Sequence, residues 1–232
     1  MMKINFQDAL QTTTAPKASL GQEAQTPDGR IWRYVQDSSA GMTKGHVAIP
    51  AAVTAVATTI SSSTNASSQI VYITKASAGW TVGAFANGWG LIDLGTVTGQ
   101  HFRIRTNTTD TLILYPEYAL GTALSTDSTM SIYTPYVVRK AVVTTKISNA
   151  QGIAQVTFAA SEYGWVLRFG PGVVIAGEVL TVGGSFVTGD DTAGEVVKGT
   201  TAKGEFDEQT LGRCLVANSA ADLGALVDVD IQ

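Results

Sequence analysis

The sequence predicts an all-β protein: one or two sandwich-like or barrel-like β domains, one or two minor helices, and an extended N-terminal arm. Three observations predict it. The polar surface is made of Thr, Ser, Gly and Asn rather than charge: of 232 residues 15% are charged and 44% hydrophobic, against about 25% charged in an average soluble domain. Short apolar or alternating runs recur at intervals of about eight to twelve residues, the spacing of sandwiches and barrels. Helical spacing is concentrated in one short stretch, "PAAVTAVATTI" (50–60), with Val53, Val56, Ala57 and Ile60 on one face and Pro50 at the first helical position.

Residues 1–27 read as the arm. Ile4 to Leu10 can form a short helix capped by Asn5. The polar, proline-punctuated "TTTAPKASLGQEAQTP" that follows is either a frayed terminus or an arm that orders on a partner. Pro27-Asp28-Gly29 is a turn, because Pro presets φ and Gly accepts positive φ. In the strand after it, Trp32 and Tyr34 share one face, Ile31 and Val35 the other. "GMTKGHVAIP" supplies a second turn and strand, "SSSTNASS" (61–68) a low-complexity loop, and "QIVYITKA" a strand.

Asn87-Gly88 carries the strongest hairpin signal, since a type I′ turn needs positive φ at both central residues. In "HFRIR", Phe102 and Ile104 point inward, while His101, Arg103 and Arg105 point outward. "TLILYPE" is apolar on both faces. Pro135 confines "SIYTPYVVRK" to an edge or a bulge. Further strands are expected in "AVVTTKI", "GIAQVTFAA" and "GWVLRFG". A turn-into-strand pattern recurs in "AGEVLTV" (176–182), "LGALVDV" (223–229) and "KGHVAIP" (44–50). The domains expected are 28–145 and 146–232, the latter a second lobe that in one reading shares a sheet with residues 28–50.

No catalytic, cofactor-binding or metal-binding residue is assigned, and an enzyme is not expected. The two histidines, His46 and His101, lack a partner motif. Ser185 in "GGSFVTG" is not in a nucleophile elbow, and Gly170-Pro171-Gly172 does not open a dinucleotide pattern. The single cysteine, Cys214, precedes Leu215 and Val216 and reads as a buried thiol. Asp190, Asp191 and Glu195 share one loop, but the spacing is not a calcium loop and reads as a solvated turn. His101, Arg103 and Arg105 form the one basic stripe; it reads as a solvated face, with contact to a partner's phosphate or carboxylate as the alternative. Asn65 and Asn107 match the glycosylation pattern, a match expected by chance in so Ser/Thr-rich a chain. Trp32, Trp80, Trp89 and Trp165 read as core residues, with a sugar-binding face as the alternative.

A net charge of −4 gives no general attraction to nucleic acid or anionic lipid. The N-terminus has no continuous apolar segment of a secretory signal, and no run is long enough for a membrane helix, so synthesis in the cytoplasm is expected.

"ANGWGLIDLGTVTGQHFRIRTNTTDTLILYPE" resembles a segment of tailed-bacteriophage virion structural proteins. The resemblance rests on Gly88-Trp89, Gly95, Gly99, Phe102, Ile104, Asn107 and the "TLILYPE" run. It continues through "STDSTMSIYTPYVVRK" and resumes at Tyr163-Gly164-Trp165-Val166, after which Leu167-Arg168 stands where the family pattern has Gln-Thr. The ends, "TPDGRIWRYVQ" and "LGRCLVANSAADLGALVDVDIQ", are similar too, so coverage is patchy over residues 26–232. The resemblance implies a capsid decoration, or cement, protein: a homotrimer on the outer head surface that clamps major capsid protein subunits. Another virion component (tail, collar or head fibre) and a β-sandwich glycan-binding module are the alternatives.

Overall fold

The computed structural model describes residues 1–38, 41–51, 62–66, 69–75, 78–95, 98–121, 124, 126, 128–134, 136–141, 149–189, 193–199 and 209–231. The protein is all-β. In chain order the elements are β1 (Met2–Lys3), α1 (Phe6–Ala9), β2 (Glu23–Gln25), β3 (Ile31–Asp37), β4 (Val47–Pro50), β5 (Ser62–Ala66), β6 (Gln69–Thr74), β7 (Trp89–Leu94), β8 (His101–Asn107) and β9 (Thr111–Leu114). A 3-10 turn at Pro116–Tyr118 follows, then β10 (Thr129–Tyr133), β11 (Val137–Lys140), β12 (Gly152–Ala154), β13 (Tyr163–Ala176), β14 (Ser185–Thr188), β15 (Val196–Lys198), β16 (Gly212–Val216) and β17 (Leu223–Asp230).

The chain forms two compact units: Met1–Ala51 with Tyr136–Gln232, and Ala52–Pro135 between them in sequence. This differs from the expected boundaries at 28–145 and 146–232. β3 and β4 pair with β11, β12 and β13, so residues 28–51 belong with the C-terminal half. The strand expected across Pro135 is two strands, β10 and β11, in different sheets.

The first unit is one eleven-stranded sheet that closes on itself twice. β3, β11, β4, β12 and β13 form one ring; β13, β15, β14, β16 and β17 form another; the fourteen-residue β13 belongs to both. Closure removes the edges of the ring strands, while β1, paired only with β2, stays an edge. In the first ring each strand gives one residue to a single cluster, Val35, Val138, Ala48, Ala154 and Val166, flanked by Met42 and Phe158. The alternate residues Trp32, Tyr34, Ile49, Ile153, Trp165 and Leu167 join a larger cluster. That cluster continues into the second ring through Val174, Phe186, Val196, Cys214, Val227 and Val229.

Pro171 sits inside β13, where proline is normally excluded. Even-numbered residues turn their backbone groups toward β17, as the Ile231 N to Arg168 O and Asp222 N to Ala176 O bonds show. Odd-numbered residues face the other way. There β3 has ended at its Phe169–Ile31 pair, and Gln155 and Gly45 receive Val173 and Ile175. Pro171 therefore falls between strand partners, and the Arg30 guanidinium, rather than a strand, donates to its carbonyl at 3.5 Å.

Residues 1–27 are not an extended arm. β1 pairs with β2 and β2 with β3, while Ile4, Ala9, Leu20 and Ala24 are buried in the large cluster. Asn5 caps α1 as its sequence suggests, its Oδ1 accepting from Asp8 N at 2.8 Å. The arm expectation weighs polarity and prolines; it misses four apolar side chains spaced to cover Trp32 and Tyr34. The Pro27-Asp28-Gly29 turn joins β2 to β3, with Gly29 at φ 90°. The turn-into-strand pattern holds for β17 and β4, but at 179–182 no strand forms.

The second unit is a six-stranded antiparallel sheet ordered β10-β7-β8-β9-β6-β5. One face buries Ile92, Phe102, Ile104, Leu112, Leu114 and Ile132 under Phe85, Leu120 and Leu124. Phe102 and Ile104 are inward as expected, and full burial of such side chains contributes about 1.5–3 kcal/mol each. "TLIL" alternates instead of being buried on both faces. The expected loop at 61–68 contains β5, paired with β6 through ladder bonds that polar residues make as well as apolar ones. Asn87-Gly88 is not a hairpin turn: only Asn87 has positive φ, at 60°, and it ends a turn segment ahead of β7. Gly88 is needed for close approach, since a Cβ there would lie 2.9 Å from the carbonyl oxygens of Phe85 and Tyr133. Nearly all of the expected helix at 50–60 and most of the expected strand "AVVTTKI" lie outside the described residues.

Candidate functional site

β8 sets the basic stripe beside aromatic rings. Register places Trp89 opposite Arg103 and Leu91 opposite His101, all on the face of the sheet away from Phe102 and Ile104. The Arg103 guanidinium carbon lies 5.7 Å from the Trp89 ring centre and 5.3 Å from that of Tyr115, within cation–π range of both. Tyr115 is fixed in turn, its hydroxyl donating to Asn87 Oδ1 at 2.6 Å. Trp89 also meets Tyr118 edge-on at 5.3 Å. Arg103 Nε is buried with no hydrogen-bond partner. Next to this row His101, Arg105 and Leu91 are exposed. Asp93, on the same face, accepts from the Ser131 hydroxyl at 2.7 Å.

A second surface lies on the two-ring unit. β17 alternates buried Ala225, Val227 and Val229 with exposed Gly224, Leu226, Asp228 and Asp230. Register lines Leu226 between Val173 of β13 and Val216 of β16. Phe169, Leu215, Val216, Leu223 and Leu226 are each more than two-fifths exposed on these three strands.

Charge inside this unit is structural. Glu23 sits between Arg33, at 2.8 Å, and Arg168, which also donates to Ile231 O at 2.7 Å. Burial pushes the Glu23 carboxyl up, but hydrogen bonds and charge from the two arginines outweigh it and hold it below its ordinary range. Arg168 thus ties β13 to β2 and to the end of β17. Asp28 is pulled down to about 2, chiefly by its hydrogen bond from Arg30, whose guanidinium lies over the Phe6 ring at 4.2 Å.

The residues weighed for chemistry are scattered. His46 is half-buried in a turn, held below its usual range by burial and then by Lys140. Cys214 is buried, and burial raises its thiol. Ser185 lies in β14, in the two-ring unit. Asp190 and Asp191 lie outside the described residues; Glu195 is buried. Among the described residues no group of three or more His, Cys, Asp or Glu is placed to hold a metal ion. The tryptophans do not share a face: Trp32 and Trp165 are in the large cluster, Trp80 packs under the six-stranded sheet, and Trp89 is in the Arg103 row. Asn107 is buried, its Oδ1 accepting from Phe85 N at 2.9 Å and its Nδ2 donating to Thr81 O and Thr108 O at 2.9 and 2.8 Å. That environment closes it to glycosylation.

Sequence reasoning separates the basic stripe from the tryptophans; only the β7–β8 register joins them. The amide sites at Gln155 and Asn107 leave no sequence signal, because their partners are backbone groups. No protein-family model, no curated protein and no solved structure matches the chain.

Proposed function

We propose that this is a tailed-bacteriophage capsid decoration, or cement, protein. It binds the outer surface of the head as a homotrimer and stabilises contacts between major capsid protein subunits. The observation that carries the reading is an exposed apolar patch on neighbouring strands, Leu226 of β17 beside Val216 of β16 and in register with Val173 of β13. Large exposed apolar residues concentrated on one rigid sheet face suit a protein that works against other proteins. Closure of the sheet into two rings supports the same role, since a cement subunit has to hold its shape while many identical weak contacts form. The sequence resemblance supplies the location.

Purified protein added to heads that lack it tests this. Saturable binding is expected, with raised resistance of the heads to heating. Leu226→Asp, with Val216→Asp as a second variant, is expected to weaken binding while the protein stays folded. Full binding by both variants would overturn the role of this face, and no binding by the unaltered protein would overturn the reading.

A further inference from the structure

We propose that the outer face of β7, β8 and β9 is a docking surface for an acidic, apolar-flanked segment of a partner protein, anchored at Arg103. Two rings flank the Arg103 guanidinium, and its Nε is buried without a hydrogen-bond partner. Among the described residues neither Arg103 nor Arg105 has an ion-pair partner. The rings hold the cation in place but supply no counter-charge, which an incoming carboxylate provides. The chain carries −4 overall, so a strand face with two arginines runs against its own balance and complements an acidic partner. Leu91, exposed on β7 next to Trp89 on the same face, gives that partner's apolar side chains a place to land. Trp, Tyr and Arg together are the residues that dominate protein interfaces. A sugar ligand fits less well, because Trp89 is already engaged by Arg103 and Tyr118 and does not offer a free stacking platform. This surface is on the inserted unit and does not depend on where the protein works.

The test is an array of synthetic peptides of about ten residues, a length typical of strand and groove ligands, varying acidic and apolar content independently and probed with the full-length protein. Retention is expected only where acidic and apolar residues are combined, weakening as salt rises. Arg103→Gln and Arg105→Gln are each expected to weaken it by about tenfold, while Arg213→Gln on β16 leaves it unchanged. Arg105 is exposed and away from the packed row, so it serves if Arg103→Gln fails to fold. Retention without regard to acidic content, retention unchanged in both arginine variants, or binding of polygalacturonate with no peptide retained would each overturn the proposal.

Discussion

The side-chain amide of Gln155 closes on both backbone groups of Val173: Oε1 accepts from Val173 N at 2.9 Å, and Nε2 donates to Val173 O at 3.0 Å. The amide stands in for a strand residue where β12 has ended and β13 continues into the second ring. Gly172 keeps the space open, since a Cβ there would lie 3.1 Å from Gln155 Nε2 and 2.4 Å from Leu167 Cδ2. Gln155→Ala leaves a part-buried N–H and C=O without their partner, and about 1–3 kcal/mol of stability is expected to be lost. Urea unfolding at neutral pH measures it; a loss under about 0.5 kcal/mol, the size of an ordinary surface substitution, would contradict this role.

Asn107 does the same in the inserted unit, with one acceptor and two donor contacts to backbone. Asn107→Asp sets a carboxylate oxygen against the carbonyls of Thr81 and Thr108. The introduced acid has its folded pKa raised, so the variant is expected to be least stable at neutral pH and to recover part of the loss as pH falls toward 4. Thermal unfolding of variant and parent across pH checks the sign.

Glu23 and Asp28 contribute to the acid limb of the stability curve. Both carboxyls are lowered in the folded state, Asp28 to about 2 and Glu23 below its ordinary 4.5. Their contributions are therefore complete above the unfolded values and are lost as pH falls through the folded ones. Glu23→Gln is expected to flatten the fall below pH 4.5. Asp28→Asn acts between 3.8 and about 2, more weakly because its side chain is 49% exposed. Unfolding midpoints from pH 2 to 7 read both.

Cys214 is 2% exposed and its thiol is raised by burial. A thiol reagent is expected to label the native protein far more slowly than the urea-unfolded chain. Equal rates would place the thiol at the surface and contradict the second ring as described.

Local signals were legible in the sequence. Alternation places Trp32 and Tyr34, and Phe102 and Ile104, on buried faces; Pro27-Asp28-Gly29 and the Asn5 cap act through near neighbours. What the sequence hides is non-local. Two closures through β13 depend on which strands meet, and no residue of β13 announces four strand partners. Ile4, Ala9, Leu20 and Ala24 are too sparse to mark a strap over Trp32. The ladder of β5 is made by backbone, so "SSSTNASS" reads as a loop. The face around Arg103 exists only in the register of β7 against β8, which places two separately weighed motifs side by side.

Copy number in purified particles tests most directly the proposal that this is a shell-bound structural protein. Quantitative mass spectrometry of virions from the source system is expected to find it in fixed proportion to the major capsid protein. A few copies per particle would move it to the tail, collar or fibre, and its absence from particles would contradict the account.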